Sequence, residues 1–175
     1  MESIDFGLLV LRLLVGGIFI GHAVVKFTER FGGLGRDRAS AVFAQLGYRP
    51  PRPYLVIAGT TELVAGIALL AGLATPIAAA ALTGVMVNAI GSSKAGHGPW
   101  YFNGGWEYDV TLLVSAVVLA FTGPGDVSLD AAAGLDAAGW AWGTGALALG
   151  LVSGRAVLAV RRRSAGSAAT GEAVA

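Results

Sequence analysis

A chain of 175 residues that is 55% hydrophobic and 13% charged, with a mean hydropathy of +0.69, is not an ordinary soluble domain, which carries about twice that charged fraction. A net charge of +1 gives no electrostatic case for nucleic acid. The absence of cysteine excludes disulfides, thiolate nucleophiles, iron–sulfur clusters and Cys-ligated zinc within the chain, so any sulfur chemistry has to involve a substrate, a partner or a bound cofactor.

Several runs of about twenty apolar residues predict an all-α fold, a transmembrane helical bundle. Span 1 covers residues 5–27 and includes Gly17-xxx-Gly21, a small-residue spacing that permits close helix contact. Its start is acidic and Arg12 interrupts it, unlike the basic start and clean apolar centre of a cleavable signal, so the helix is read as retained. Residues 28–53 are polar, with Arg30, Arg36, Arg38, Arg49 and Arg52 against Glu29 and Asp37. Within them, Asp37 to Leu46 reads as a short amphipathic helix at the interface, with Asp37 as N-cap. Pro50, Pro51 and Pro53 then break the helix.

Span 2 covers residues 54–73 with one charge, Glu62, and span 3 covers residues 76–90 with Asn88 near its end. A Gly-rich loop with Lys94 and His97 leads to span 4, residues 106–121, which opens Trp106-Glu107-Tyr108-Asp109. The aromatic residues around it suit a membrane interface. After Gly123-Pro124-Gly125 the loop carries only acidic charge, and a fifth apolar run covers residues 138–160, with Arg155 near its end and Arg161, Arg162 and Arg163 just beyond. The domains are therefore a four-helix membrane domain at 1–130, a loop and a fifth C-terminal transmembrane helix at 131–163, and a disordered tail at 164–175.

With five spans, every basic segment falls on one side, which the positive-inside rule makes cytoplasmic, so the N-terminus is outside and the C-terminus inside. At 1.5 Å per residue, Lys26 lies near the cytoplasmic surface, Asn88 about 4 Å in, His22 about 8 Å and Glu62 about 12 Å. Glu107 and His97 lie at the same end, while Arg12, which shares roughly one side of span 1 with His22 and Lys26, is about 22 Å deep.

Each of these residues has a plain structural reading. Lys26 can snorkel, His22 can pack, Glu62 can pair with Arg12 or His22, and Glu107 and Asp109 suit a helix start. A carboxylate within a span is nonetheless a candidate functional group. Glu62 as proton acceptor and His22 as shuttle are the catalytic candidates; Lys26, Asn88, His97, Glu107 and Arg12 are candidate ligand-binding residues. No short metal-ligand motif is present.

The order and spacing of Arg12, Gly21-His22-x-x-x-Lys26, Glu62-Leu63-x-x-Gly66-x-x-Leu69-x-x-Gly72-Leu73-x-Thr75, Asn88-Ala89, His97, Gly105-x-Glu107-Tyr108 and Gly123-Pro124-Gly125-Asp126-x-Ser128-Leu129-Asp130 resemble the DoxX family of small bacterial membrane proteins. The likeness covers residues 9–130 and implies a four-helix core, with the fifth run beyond it. It also implies a link to thiosulfate:quinone oxidoreductase, after a subunit of which the family is named, and to oxidative-stress defence, in which mycobacterial relatives are associated with superoxide dismutase and a sulfurtransferase.

Three functions follow as expectations. One is a bacterial plasma-membrane redox component, a subunit of a quinone-linked oxidoreductase, with a quinone or small-molecule site in the cytoplasmic half of the bundle. Another is a non-catalytic anchor that recruits soluble redox enzymes to the basic cytoplasmic face. The third is a small-solute or proton pathway. The lipid bilayer is the partner in all three, and homo-oligomerisation is left open.

Overall fold

The computed structural model describes residues 2–172, with side chains described to Ser164. Helix α1 (Ser3–Phe27) begins where the Asp5 carboxylate accepts the Glu2 N–H at 2.9 Å. It ends at Thr28, whose hydroxyl donates to the Val24 carbonyl at 2.9 Å. Helix α2 (Gly35–Gln45) is the short helix expected after the first span. Its N-cap is Leu34, and Asp37 instead lies in the first turn, paired with Arg52 at 2.8 Å.

Helix α3 (Pro51–Ala71) opens with prolines in its first turn and stops at Gly72, whose φ of 65° is left-handed. Helix α4 (Thr75–Ala89) follows at once and runs on through a single π-helical turn, Ile90–Lys94. Then come α5 (Glu107–Thr122), the short α6 (Leu129–Ala132) and α7 (Trp140–Glu172). No strand occurs among the described residues.

Four helices are long and apolar enough to cross a membrane: α1, α3, α4 with its π turn, and α7. The expected fourth span, α5, is shorter, with 16 residues and about 24 Å, yet it carries the chain from the end where Tyr108 meets His22 to the end where Asp126 meets Asp5. The C-terminal run is thus one of the long helices and packs along α4. The backbone of α7 stays helical to Glu172, into the segment expected to be a disordered tail; residues 173–175 lie outside the described residues.

Helix α4 is the hub, the most buried of the four, with α3, α5 and α7 against it. Small side chains make this possible. A Cβ on Gly150 would lie 2.6 Å from Thr83, and one on Gly154 2.7 Å from the Gly84 carbonyl. The core joins Val15, Phe19, Leu69, Leu82, Met86, Leu112 and Leu119. Large apolar residues such as Leu14, Val64, Ile67, Ile77 and Val152 are left facing outward, as a bundle solvated by lipid requires.

The two ends differ in charge. Arg161 of α7 donates to the carbonyls of Leu46 and Ser92, so the C-terminal arginines, the end of α2 and the π turn share one end. At the other, the Asp5 carboxylate accepts the Asp126 N–H at 3.1 Å, and the Asp130 carboxylate accepts the Ala74 and Thr75 N–H groups at 2.7 and 3.0 Å.

Candidate functional site

The site is assembled where α1 crosses α3 near the basic end. Gly59, Glu62 and Gly66 recur at helical spacing and turn one face of α3 to α1. A Cβ on Gly16 would lie 2.7 Å from the Gly66 carbonyl, and one on Gly59 2.5 Å from the Phe27 ring. This close contact brings the two spans together at Lys26 and Glu62. The Lys26 ammonium donates to both Glu62 oxygens, at 2.6 and 2.9 Å, and approaches the His22 carbonyl at 3.5 Å. Glu62 is 2% exposed and Lys26 22%, so the carboxylate is sealed in while the ammonium keeps some access.

One turn deeper on α1, His22 Nε2 lies 3.2 Å from the Tyr108 hydroxyl, with the rings 5.9 Å apart. Phe19 supports the imidazole edge-on at 6.3 Å. His22, Tyr108 and Tyr101 line an open cavity of about 410 Å³. A protonatable imidazole, a phenol and a buried ion pair therefore occupy neighbouring turns of one helix and the faces opposite. Such groups can hydrogen-bond a carbonyl-bearing ligand and exchange protons with it.

The other expected site residues are distributed differently. Glu107 holds the loop that precedes it, accepting the Tyr101 N–H at 2.7 Å while its own N–H bonds the Pro99 carbonyl. It thus positions Tyr101 at the cavity. His97 is exposed in that loop, and its side chain makes no hydrogen bond or ion pair among the described residues. Asn88 faces away from the cluster, with its Oδ1 accepting the Tyr48 hydroxyl.

Arg12 is not a member of the cluster. It is 1% exposed at the acidic end, where it donates to the Val127 carbonyl and where only Gly72, without a side chain, leaves room for its guanidinium. It is a latch between α1, the α3–α4 turn and the segment before α6. Tyr108, expected among the aromatic residues of the membrane interface, also lines the cavity against His22. Its place directly after Glu107 at the start of a helix was the available signal, but its partner on α1 is visible only in the packing.

A DoxX profile matches residues 7–95, which hold Arg12, His22, Lys26, Glu62 and Asn88. The chain belongs to the DoxX family. This DoxX protein is 31% identical over 129 residues to "Putative oxidoreductase CatD" of Bacillus subtilis, covering 74% of this chain and 88% of that protein. It is also 31% identical over 130 residues to "Uncharacterized membrane protein Rv3486" of Mycobacterium tuberculosis, covering 69% and 77% of the two chains. No solved structure matches it.

Proposed function

We propose that this DoxX protein is a redox component of a bacterial plasma membrane. In this reading it takes a quinone or another small carbonyl-bearing carrier at the His22–Tyr108 cavity, with the basic end in the cytoplasm. The observation that carries the reading is the hydrogen-bonded His22–Tyr108 pair at an open cavity, one turn from a Lys26–Glu62 ion pair. The oxidoreductase name of the Bacillus subtilis relative points the same way.

A bound quinone would supply the capacity to accept electrons together with protons. With His22 Nε2–H donating to the Tyr108 oxygen, the Tyr108 hydroxyl would donate to a carbonyl oxygen, and His22 would pass a proton to it through Tyr108. Lys26 would hold the positive charge that favours developing negative charge on the ligand, and His22 would regain its proton from water at the open cavity. Glu62 would be the proton acceptor when the reduced ligand gives its protons back. Without cysteine, the chain offers no thiol relay. The electrons would come from a soluble redox enzyme docked on the arginines of residues 30–52 and 161–163.

Binding of a short-chain quinone analogue to the purified protein in lipid nanodiscs tests this. Tyr108→Phe and His22→Ala should each weaken binding about 10-fold, the loss of a charge-assisted or well-placed hydrogen bond. Binding unchanged in both variants overturns the reading. If binding is absent from the wild type, while replacing Arg36 and Arg38 with Gln releases a soluble redox enzyme from membranes, the protein is an anchor.

A further inference from the structure

Helices α3 and α7 each pack on α4 rather than on one another. Between them lies a crevice of about 330 Å³, within the range of small-ligand pockets. It is separate from the His22 cavity and on another face of α3: Thr61 lines the crevice, while Glu62, about 100° further around the helix, faces α1.

Ala81, Gly84 and Val85 of α4 form its floor, small enough to leave the space open. Its basic end is closed by an aromatic roof in which Phe43 and Tyr48 lie 5.2 Å apart and Tyr48 and Tyr54 5.1 Å apart. Its mouth lies on the lipid-facing side, where Ile57 is 62% exposed. From Tyr54 to Thr61 the α3 wall runs about 10 Å.

Under the roof is one unmet polar group. The Tyr48 hydroxyl donates to Asn88 Oδ1, which leaves Nδ2 as a donor. That nitrogen is buried and has no partner. A buried donor left unpaired is costly; Asn88 lines the crevice, and a small rotation of its amide would bring Nδ2 to an acceptor there. Charge complementarity narrows the occupant. No Asp, Glu, Lys, Arg or His lines the crevice, and Arg161, which lies over the Tyr48 ring at 5.7 Å, is engaged by the Leu46 and Ser92 carbonyls.

The occupant is thus uncharged where it meets the protein, apolar along its length, and ends in a hydrogen-bond acceptor. Depth supplies the rest. Asn88 is six residues, about 9 Å, from Lys94 at the basic end of its span. The headgroup layer is about 6 Å thick on each side, which puts the amide near the level of the glycerol esters. We propose that the α3–α7 crevice binds an acyl chain of a membrane glycerolipid, whose ester carbonyl accepts from Asn88 Nδ2.

Nanodiscs made of a diester phosphatidylcholine or of its diether counterpart, with the same chains, test the assignment, since only the diester carries the carbonyl. The wild type should unfold about 2–4 °C higher in the diester lipid, the shift expected for one added hydrogen bond in a chain of this size. Asn88→Leu should abolish the difference. Because that change also removes the partner of Tyr48, Ala58→Phe provides a second variant that fills the crevice and leaves Asn88 in place. Native mass spectrometry should then show a glycerolipid retained by the wild type and lost from Ala58→Phe. Equal wild-type stability in the two lipids, the same lipid retained by Ala58→Phe, or a retained lipid without an ester carbonyl would each overturn the proposal.

Discussion

Lys26 and Glu62 hold each other in a position that neither would occupy alone. A carboxylate 2% exposed in a membrane span has lost its water, and its two contacts with one ammonium replace only part of that solvation. Removing either partner alone, as Lys26→Met or Glu62→Ala, should therefore lower stability by about 3–5 kcal/mol, measured by unfolding in detergent. The double change to Lys26→Met and Glu62→Leu removes both charges and should recover most of the loss. If the pair also manages protons, that stable double variant should still fail to support membrane redox protection. A double variant that is both stable and active would reduce the pair to a structural tie.

Arg12 marks how far the sequence could be read at this scale. Its angle about α1 grouped it roughly with His22 and Lys26, while its expected depth of about 22 Å set it apart from them. The fourteen residues to Lys26 amount to about 21 Å, which places Arg12 on the Val127 carbonyl at the opposite end.

Glycines decide which helix faces meet. Gly17-xxx-Gly21 was the visible spacing on α1, yet both residues are exposed and a Cβ on either would meet nothing within 4 Å. The contact is made by Gly16, one residue earlier and about 100° around the helix. In a chain with 27 glycines spacing alone does not select the face, because the selection depends on the partner helix. By contrast, the spacing Gly150-xxx-Gly154 on α7 does mark an interface, since Thr83 and Gly84 of α4 lie against it. Gly17→Ala and Gly21→Ala should therefore cause no loss of stability and should gain up to about 1 kcal/mol from helix propensity. Gly16→Leu should push α1 from α3, separate Lys26 from Glu62 and cost more than about 3 kcal/mol through overpacking and the broken pair. Equal effects at Gly16 and Gly17 would show that the α1–α3 contact does not set the site.

At the level of the whole molecule, composition made the membrane class legible and charge made the two ends legible, because hydrocarbon excludes both water and unpaired ions over the full length of a span. The site was only partly so. His22, Lys26 and Glu62 follow from depth, whereas Tyr108 and the turning away of Asn88 follow from packing around α4. Orientation can be tested directly, since a chain without cysteine accepts single reporters. Phe31, 90% exposed in the basic loop, and Leu135, 57% exposed at the acidic end, are apolar loop residues outside the core. If the basic end is cytoplasmic, a membrane-impermeant maleimide added to intact cells should label Leu135→Cys and spare Phe31→Cys, and inverted vesicles should reverse the pattern. Labelling of Phe31→Cys in intact cells would put the His22 cavity and its docking face outside. A cytoplasmic redox enzyme could then not reach them, and the proposed electron source would fail with the orientation.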